Sequence, residues 1–197
     1  MTIERILISK QEMCKVEAQI RFQAHIMRYA AVRRFIYGDV IDFACGCGYG
    51  THLLSMSPEV TSMLGVDKDK ESVEWAKKEF TTDNCSYLCD DITSLKVKCD
   101  TLVSLETIEH FKNDEVYHKV VKNCAFDQLI ISYPNKKSSG FNKFHKRDIN
   151  LQEVCDAFME DYLPFHYFTL GDVDIVIFIR KPVKLPSHIY RNIVNLR

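Results

Sequence analysis

The chain has 197 residues, enough for one domain with a buried sheet core, and its composition is ordinary: 46% hydrophobic, 27% charged, formal net charge −1. Near-neutral charge excludes a global electrostatic pull toward nucleic acid or membrane, and no apolar run approaches the roughly 18 to 20 residues that span a bilayer. Eight cysteines without a Cys-x-x-Cys pair, behind a start lacking a signal-peptide core, fit reduced thiols and a cytoplasmic location.

In chain order, apolar spacing predicts a helix from about Lys10 to Tyr37, stopped by Gly38, with Arg21, Arg28, Arg33 and Arg34 off its apolar stripe. A strand over Val40 to Ala44 leads through a glycine turn into a helix from Gly50 to Met56, closed by Ser57-Pro58. Met63 to Val66 is a second strand, Lys70 to Phe80 a helix, and Ser86 to Leu88 a short third strand before Asp90-Asp91-Ile92. Strand Cys99 to Leu105, helix Asn113 to Cys124 and strand Gln128 to Tyr133 follow, then a polar loop from Asn135 to Asp148. Helix Leu151 to Met159 and strands Leu163 to Thr169 and Val173 to Arg180 complete the pattern. Alternating strands and helices ending in two close strands predict an α/β fold: a doubly wound, seven-stranded, mostly parallel sheet with an antiparallel last strand, in a three-layer α/β/α sandwich. One domain is expected over 1–197, with a helical N-terminal lid (1–38), a Rossmann-like core (39–181) and a basic tail (182–197).

The turn after the first strand reads Asp42-x-Ala44-x-Gly46-x-Gly48-x-Gly50. A dinucleotide site needs Gly-x-Gly-x-x-Gly, and here Thr51 stands where the third glycine would be. Asp42 would repel a pyrophosphate but suits a cofactor bearing an ammonium and a sulfonium, which points to S-adenosylmethionine (SAM). Asp67, ending the second strand, and Asp91, after the third, supply further acids. Alternative readings are that Asp67 only caps the next helix, that Asp90 and Asp91 are turn residues, and that His25, Arg28 and Tyr29 lie on an exposed helix face.

These residues resemble the class I SAM-dependent methyltransferases, nearest to the type 11 and type 23 groups that include quinone-biosynthesis and glycan-associated O-methyltransferases. By that resemblance Asp42, Ala44, Gly46 and Gly48 would form the cofactor turn, with Ala44 where a glycine is commoner. Asp67 would hold both ribose hydroxyls, with Lys68 beside it. Asp91 and Ile92 would meet the adenine, Leu105 and Glu106 the methionine portion, and Arg28 and Tyr29 would come from a helix over the cofactor.

Leu105-Glu-Thr-Ile-Glu-His-Phe111 follows the fourth strand at the edge where open α/β sheets bind ligands. In helical form it would put Glu106, Glu109 and His110 on one face, offering a general base (His110, with Glu109) or a site for Mg²⁺ or Mn²⁺. It could also be only a solvated helix start. The string is similar to that of quinone-biosynthesis O-methyltransferases and of small-RNA 3′-end 2′-O-methyltransferases, where the two acids, the histidine and a later one hold a divalent metal. The later histidine here is His145, in a loop that also resembles one of glycan-associated methyltransferases, with Asp148 in the acid's place. The leading expectation is O-methylation of a small molecule. One alternative is RNA ribose 2′-O-methylation with metal on Glu106, Glu109, His110 and His145, supported by the basic run Lys136, Lys137, Lys143, Lys146 and Arg147. The other is a SAM-binding protein without turnover.

Overall fold

The computed structural model describes residues 7–182 and 186–187, and side chains outside 17–21 and 114–116. The basic tail is therefore almost wholly outside the described residues, as are the side chains of Ile20 and Arg21. Seven strands form one sheet in the order β3-β2-β1-β4-β5-β7-β6. The chain resolves into two compact units meeting at Ile92 and Thr93.

In the first unit, α1 (Lys10–Met13) and α2 (Val16–Val32) lead to β1 (Gly38–Phe43), α3 (Tyr49–Ser55), β2 (Val60–Asp67), α4 (Lys70–Phe80) and β3 (Cys85–Cys89). The single N-terminal helix expected from the spacing is two helices, because Lys15 is extended (ψ 136°) and begins the second. Nor does Gly38 stop that helix: Arg33 caps it, and Gly38 (φ 68°) opens β1 by donating its N–H to the Glu59 carbonyl. β1, β2 and β3 pair in parallel, Asp42 opposite Gly65 and Gly65 opposite Tyr87. Val40, Phe43, Met63 and Val66 are buried along these strands, and Val73, Ala76 and Phe80 give α4 its buried face. That burial, about 25 cal/mol per Å² of apolar surface, fixes which face each element turns inward.

In the second unit, β4 (Thr101–Ser104), a single 3₁₀ turn (Ile108–His110), α5 (Asp114–Lys122), β5 (Gln128–Pro134), α6 (Leu151–Phe158), β6 (Tyr162–Leu170) and β7 (Val173–Arg180) follow. β4 and β5 are parallel, and β7 runs antiparallel to both β5 and β6. Continuous burial of Leu129 to Ile131 and Ile175 to Ile179 marks strands covered on both faces, as parallel-sheet proteins require. Asn150 and Glu153 close a reciprocal capping box that starts α6.

Candidate functional site

β1 ends in three unusual residues. Ala44 (φ 58°), Gly46 (φ 56°) and Gly48 (φ 84°) are all left-handed, so the chain reverses sharply before α3. Ala44 holds this conformation at a cost of about 1 kcal/mol or more, which is why a glycine suits the position better. A Cβ on Gly48 would stand 2.6 Å from Ala76 Cβ and 2.6 Å from Tyr87 Cε1, so only glycine lets the turn sit on α4 and β3. A Cβ on Gly46 would meet nothing within 4 Å, so open space lies over that backbone.

The acids divide the work. Asp42 is fully buried, and its Oδ2 accepts from the Thr51 hydroxyl at 2.7 Å. Oδ1 is buried with no hydrogen-bond donor in place among the described residues. Burial pushes its carboxyl up to about 7, while the Thr51 and Tyr29 hydroxyls pull it back. Thr51, read from sequence only as a missing glycine, is thus the partner of Asp42. Asp67 accepts from the Gly46 N–H (2.9 Å) and the Asp69 N–H (2.8 Å), one on each oxygen. These bonds hold the carboxylate still and leave each oxygen lone-pair capacity for a further donor. Helix α4 is capped by Asp69, whose Oδ2 accepts from the N–H and hydroxyl of Ser72, so capping is not the role of Asp67.

Arg28 and Tyr29 are buried rather than on an exposed helix face. The Tyr29 ring packs edge-on against Tyr49, at 5.8 Å between centroids, and lies so close to Gly50 that a Cβ there would be 2.2 Å from it. Tyr87, missed in the sequence, donates its hydroxyl to the Gly48 carbonyl at 2.9 Å, fixing the turn from beneath. Alternating burial of Cys85 and Tyr87 along β3 is the signal that could have found it. Lys68 is exposed; Asp91 is exposed and Ile92 buried, just past the end of β3.

A buried orphaned oxygen on Asp42, clear space over Gly46 and an immobilised carboxylate on Asp67 fit the group expected here. The first would suit a cationic amine, the second would leave room for an amino acid moiety, and the third would receive paired ribose hydroxyls.

In the second unit, Leu105 is buried and Glu106 takes φ 51°, outside the 3₁₀ turn. The Glu106 Oε1 accepts from the Ser132 hydroxyl at 2.9 Å, and that hydroxyl oxygen accepts from the Glu106 N–H at 3.0 Å. Glu106 therefore does not share a helical face with Glu109 and His110, since the helix expected there is a single turn beginning at Ile108. The ligand atoms of Glu109, His110 and His145 lie within 4.8 Å of one another, and Glu106 is not among them. Glu109 is fully buried, and the two imidazoles meet edge to face at 5.2 Å.

The loop over 135–148 supplies this arrangement. Asp148 accepts from the Ser138 and Ser139 N–H groups (2.8 and 3.0 Å), and those amides hold its carboxyl below the usual range. The Ser138 hydroxyl meets His145 Nδ1 at 2.7 Å, and the Lys146 N–H donates to the Glu109 carbonyl at 2.8 Å. His110 Nδ1 lies 3.2 Å from the Phe144 carbonyl oxygen. A carbonyl can only accept, so in the neutral ring this contact puts the proton on Nδ1 and the lone pair on Nε2. Ser132 and Phe144 gave no signal in the sequence, because their partners Glu106 and His110 are distant along the chain.

Among known proteins, a family model described as a methyltransferase domain matches residues 40–125, which include the glycine turn after β1, the Glu109-His110 turn and helix α5. A curated relative, malonyl-[acyl-carrier protein] O-methyltransferase of Priestia megaterium, is 32% identical over 76 residues, 38% of this chain and only 28% of that protein's length. The fold is shared with magnesium protoporphyrin IX methyltransferase from Synechocystis PCC 6803 with bound SAH (TM-score 0.64, 15% identity, 90% of each chain). It is shared also with the methyltransferase domain of bacterial CtHen1-C (TM-score 0.65, 19% identity, 80% of this chain and 97% of that one). No helix among the described residues is long and apolar enough to cross a membrane.

Proposed function

We propose that this class I SAM-dependent methyltransferase methylates an oxygen of a small molecule, with His110 as the general base. The observation that carries the reading is the 3.2 Å contact of His110 Nδ1 with the Phe144 carbonyl, which in the neutral ring would turn Nε2 into the proton acceptor. When bound, the cofactor supplies a methyl group on a sulfonium, already a good leaving group. The protein's task is then to align the acceptor and remove its hydroxyl proton. Asp42, Gly46 and Asp67 would hold the cofactor; Asp91 and Ile92 would receive the adenine, Leu105 and Glu106 the methionine portion, with Lys68, Arg28 and Tyr29 around them. Glu109, fully buried one residue before His110, would steady the imidazolium that forms. An oxygen acceptor agrees with the name of the Priestia megaterium relative, an O-methyltransferase.

A second reading is favoured by the proximity of Glu109, His110 and His145. One carboxylate and two imidazoles suit Mn²⁺ better than Mg²⁺. Such an ion would polarise a ribose hydroxyl of RNA, drawn in by the exposed Lys136, Lys137, Lys143 and Lys146. A protein that binds SAM without turnover is the third.

Incubation with methyl-labelled SAM and fractionated cell extract, followed by mass analysis of products, separates the three. A small methylated product that is insensitive to chelator, and lost by roughly two to four orders of magnitude in rate with His110→Ala at unchanged cofactor affinity, supports the first. Labelled RNA and loss of activity with chelator support the second. Cofactor binding with no labelled product in any fraction supports the third.

A further inference from the structure

Phe141 is 92% exposed, more than any other large hydrophobic side chain among the described residues. The loop that carries it is nonetheless tied together. Asp148 accepts from the Ser138 and Ser139 N–H groups, which joins the two ends of the loop. Inside that closure the Ser138 carbonyl accepts from the Phe141 N–H at 3.0 Å and the Asn142 N–H at 2.8 Å. The Asn142 side chain accepts from the Phe144 N–H at 3.0 Å, and its carbonyl accepts from the His145 N–H at 3.0 Å. A compact surface loop closed on its own hydrogen bonds keeps its shape, and this one keeps an apolar ring out in water. Its other aromatic ring, Phe144, is half-buried and lies under Lys143 Nζ, 5.0 Å from the ring centroid.

The charge around Phe141 has one sign. Lys136, Lys137, Lys143 and Lys146 all stand within five positions of it, and all four are exposed. The only acid from Asn135 to Asp148 is Asp148 itself, whose carboxylate is engaged by two backbone N–H groups. The chain as a whole has a net charge of −1, so these cations are a local concentration and not part of a general excess. A protruding ring among lysines suits a surface that is anionic at the outside and apolar just beneath. A base stacked on Phe141 would cover one face of the ring and leave the other in water, whereas the acyl boundary of a bilayer covers both.

The same loop is bonded to the turn that carries the candidate base. The Lys146 N–H donates to the Glu109 carbonyl at 2.8 Å, and the Phe144 carbonyl oxygen lies 3.2 Å from His110 Nδ1. A surface gripped at Phe141 is thereby held near His110.

We propose that the 135–148 loop docks the protein on an anionic lipid surface, with Phe141 entering the acyl boundary and Lys136, Lys137, Lys143 and Lys146 meeting headgroup charge, so that the hydroxyl compound reaching His110 is an amphiphile held in that surface. The second half rests on the reading of His110 as the base of an oxygen methylation.

Sedimentation with phosphatidylcholine–phosphatidylglycerol vesicles tests the docking. Wild type should pellet with these vesicles at low salt, far less with pure phosphatidylcholine, and less as salt rises. Phe141→Ala should bind roughly tenfold more weakly, as expected for the loss of one ring at the acyl boundary. Lys136→Gln with Lys137→Gln should lose about fivefold per lysine on the mixed vesicles and change nothing on pure phosphatidylcholine. Melting temperature and SAH affinity of these variants should match wild type, since the substituted side chains are exposed. Wild type that stays in the supernatant at low salt, or Phe141→Ala within twofold of wild type, refutes the docking. Tighter, Phe141-dependent binding to a single-stranded RNA oligomer than to vesicles also refutes it, in favour of a nucleic acid surface. Incubation of the protein with methyl-labelled SAM and a membrane fraction should then put the label in the organic extract. Vesicle binding with label only in water-soluble products leaves the docking standing and refutes the amphiphilic acceptor. Vesicle binding with no label in any product leaves the docking standing and defeats the reading of His110.

Discussion

Replacing Asp42 with asparagine should stabilise the cofactor-free protein at alkaline pH and weaken its grip on the cofactor. Burial raises this carboxyl from its ordinary 3.8 to about 7, so the folded state holds the proton more tightly than the unfolded one. A raised value gives a contribution that is full below about pH 4, declines as pH rises and is gone above about pH 7. A gap of about 3 units corresponds to about 4 kcal/mol. Setting about 1 kcal/mol against it for the newly buried amide leaves the variant about 3 kcal/mol more stable at pH 8. In a chain of this size that is on the order of 6 to 12 °C in melting temperature, with little difference at pH 5. Cofactor binding should run the other way. A bound ammonium favours the ionised carboxylate, so wild-type affinity for SAH should climb by up to about tenfold per pH unit between pH 5.5 and 7, releasing a proton on binding. The asparagine variant should bind weakly and without that slope. Calorimetric melts at pH 5 and pH 8, and titrations in buffers of different ionisation enthalpy, read both halves. Equal melting shifts at the two pH values, or a flat wild-type affinity, would refute the assignment of Asp42 as a buried cation acceptor.

Gly48→Ala drives a methyl into Ala76 and Tyr87 at a left-handed φ, and should cost about 2 to 5 kcal/mol in a denaturant melt and abolish SAH binding. Tyr87→Phe loses only the hydroxyl bond to the Gly48 carbonyl, so it should keep the fold, cost about 1 kcal/mol and weaken SAH binding several-fold by calorimetry. Asp67→Ala removes the anchor of the Gly46 and Asp69 amides together with the proposed ribose acceptor; unchanged SAH affinity would overturn the pocket. Asp148→Ala frees the Ser138 and Ser139 amides that shape the loop around His145, and should lower the rate of methyl transfer while SAH affinity stays within twofold.

The amino-acid sequence alone determined the order of strands and helices, since alternating apolar runs, N-caps and glycine turns are local signals. Helix α4 and strand β7 occupy the residues expected for them to the position, Lys70–Phe80 and Val173–Arg180. The sharp turn after β1 was legible too, because closely spaced glycines mark left-handed backbone, and Gly46 and Gly48 adopt it. What tertiary structure decided is which side chains meet. Thr51 became a partner for Asp42, Ser132 drew Glu106 away from Glu109 and His110, and a loop more than thirty residues onward placed His145 and the Phe144 carbonyl beside His110. Those pairings depend on chain segments brought together only by the packed sheet, where a hydrogen bond or a buried carboxylate is set by geometry in space and leaves no period in the sequence.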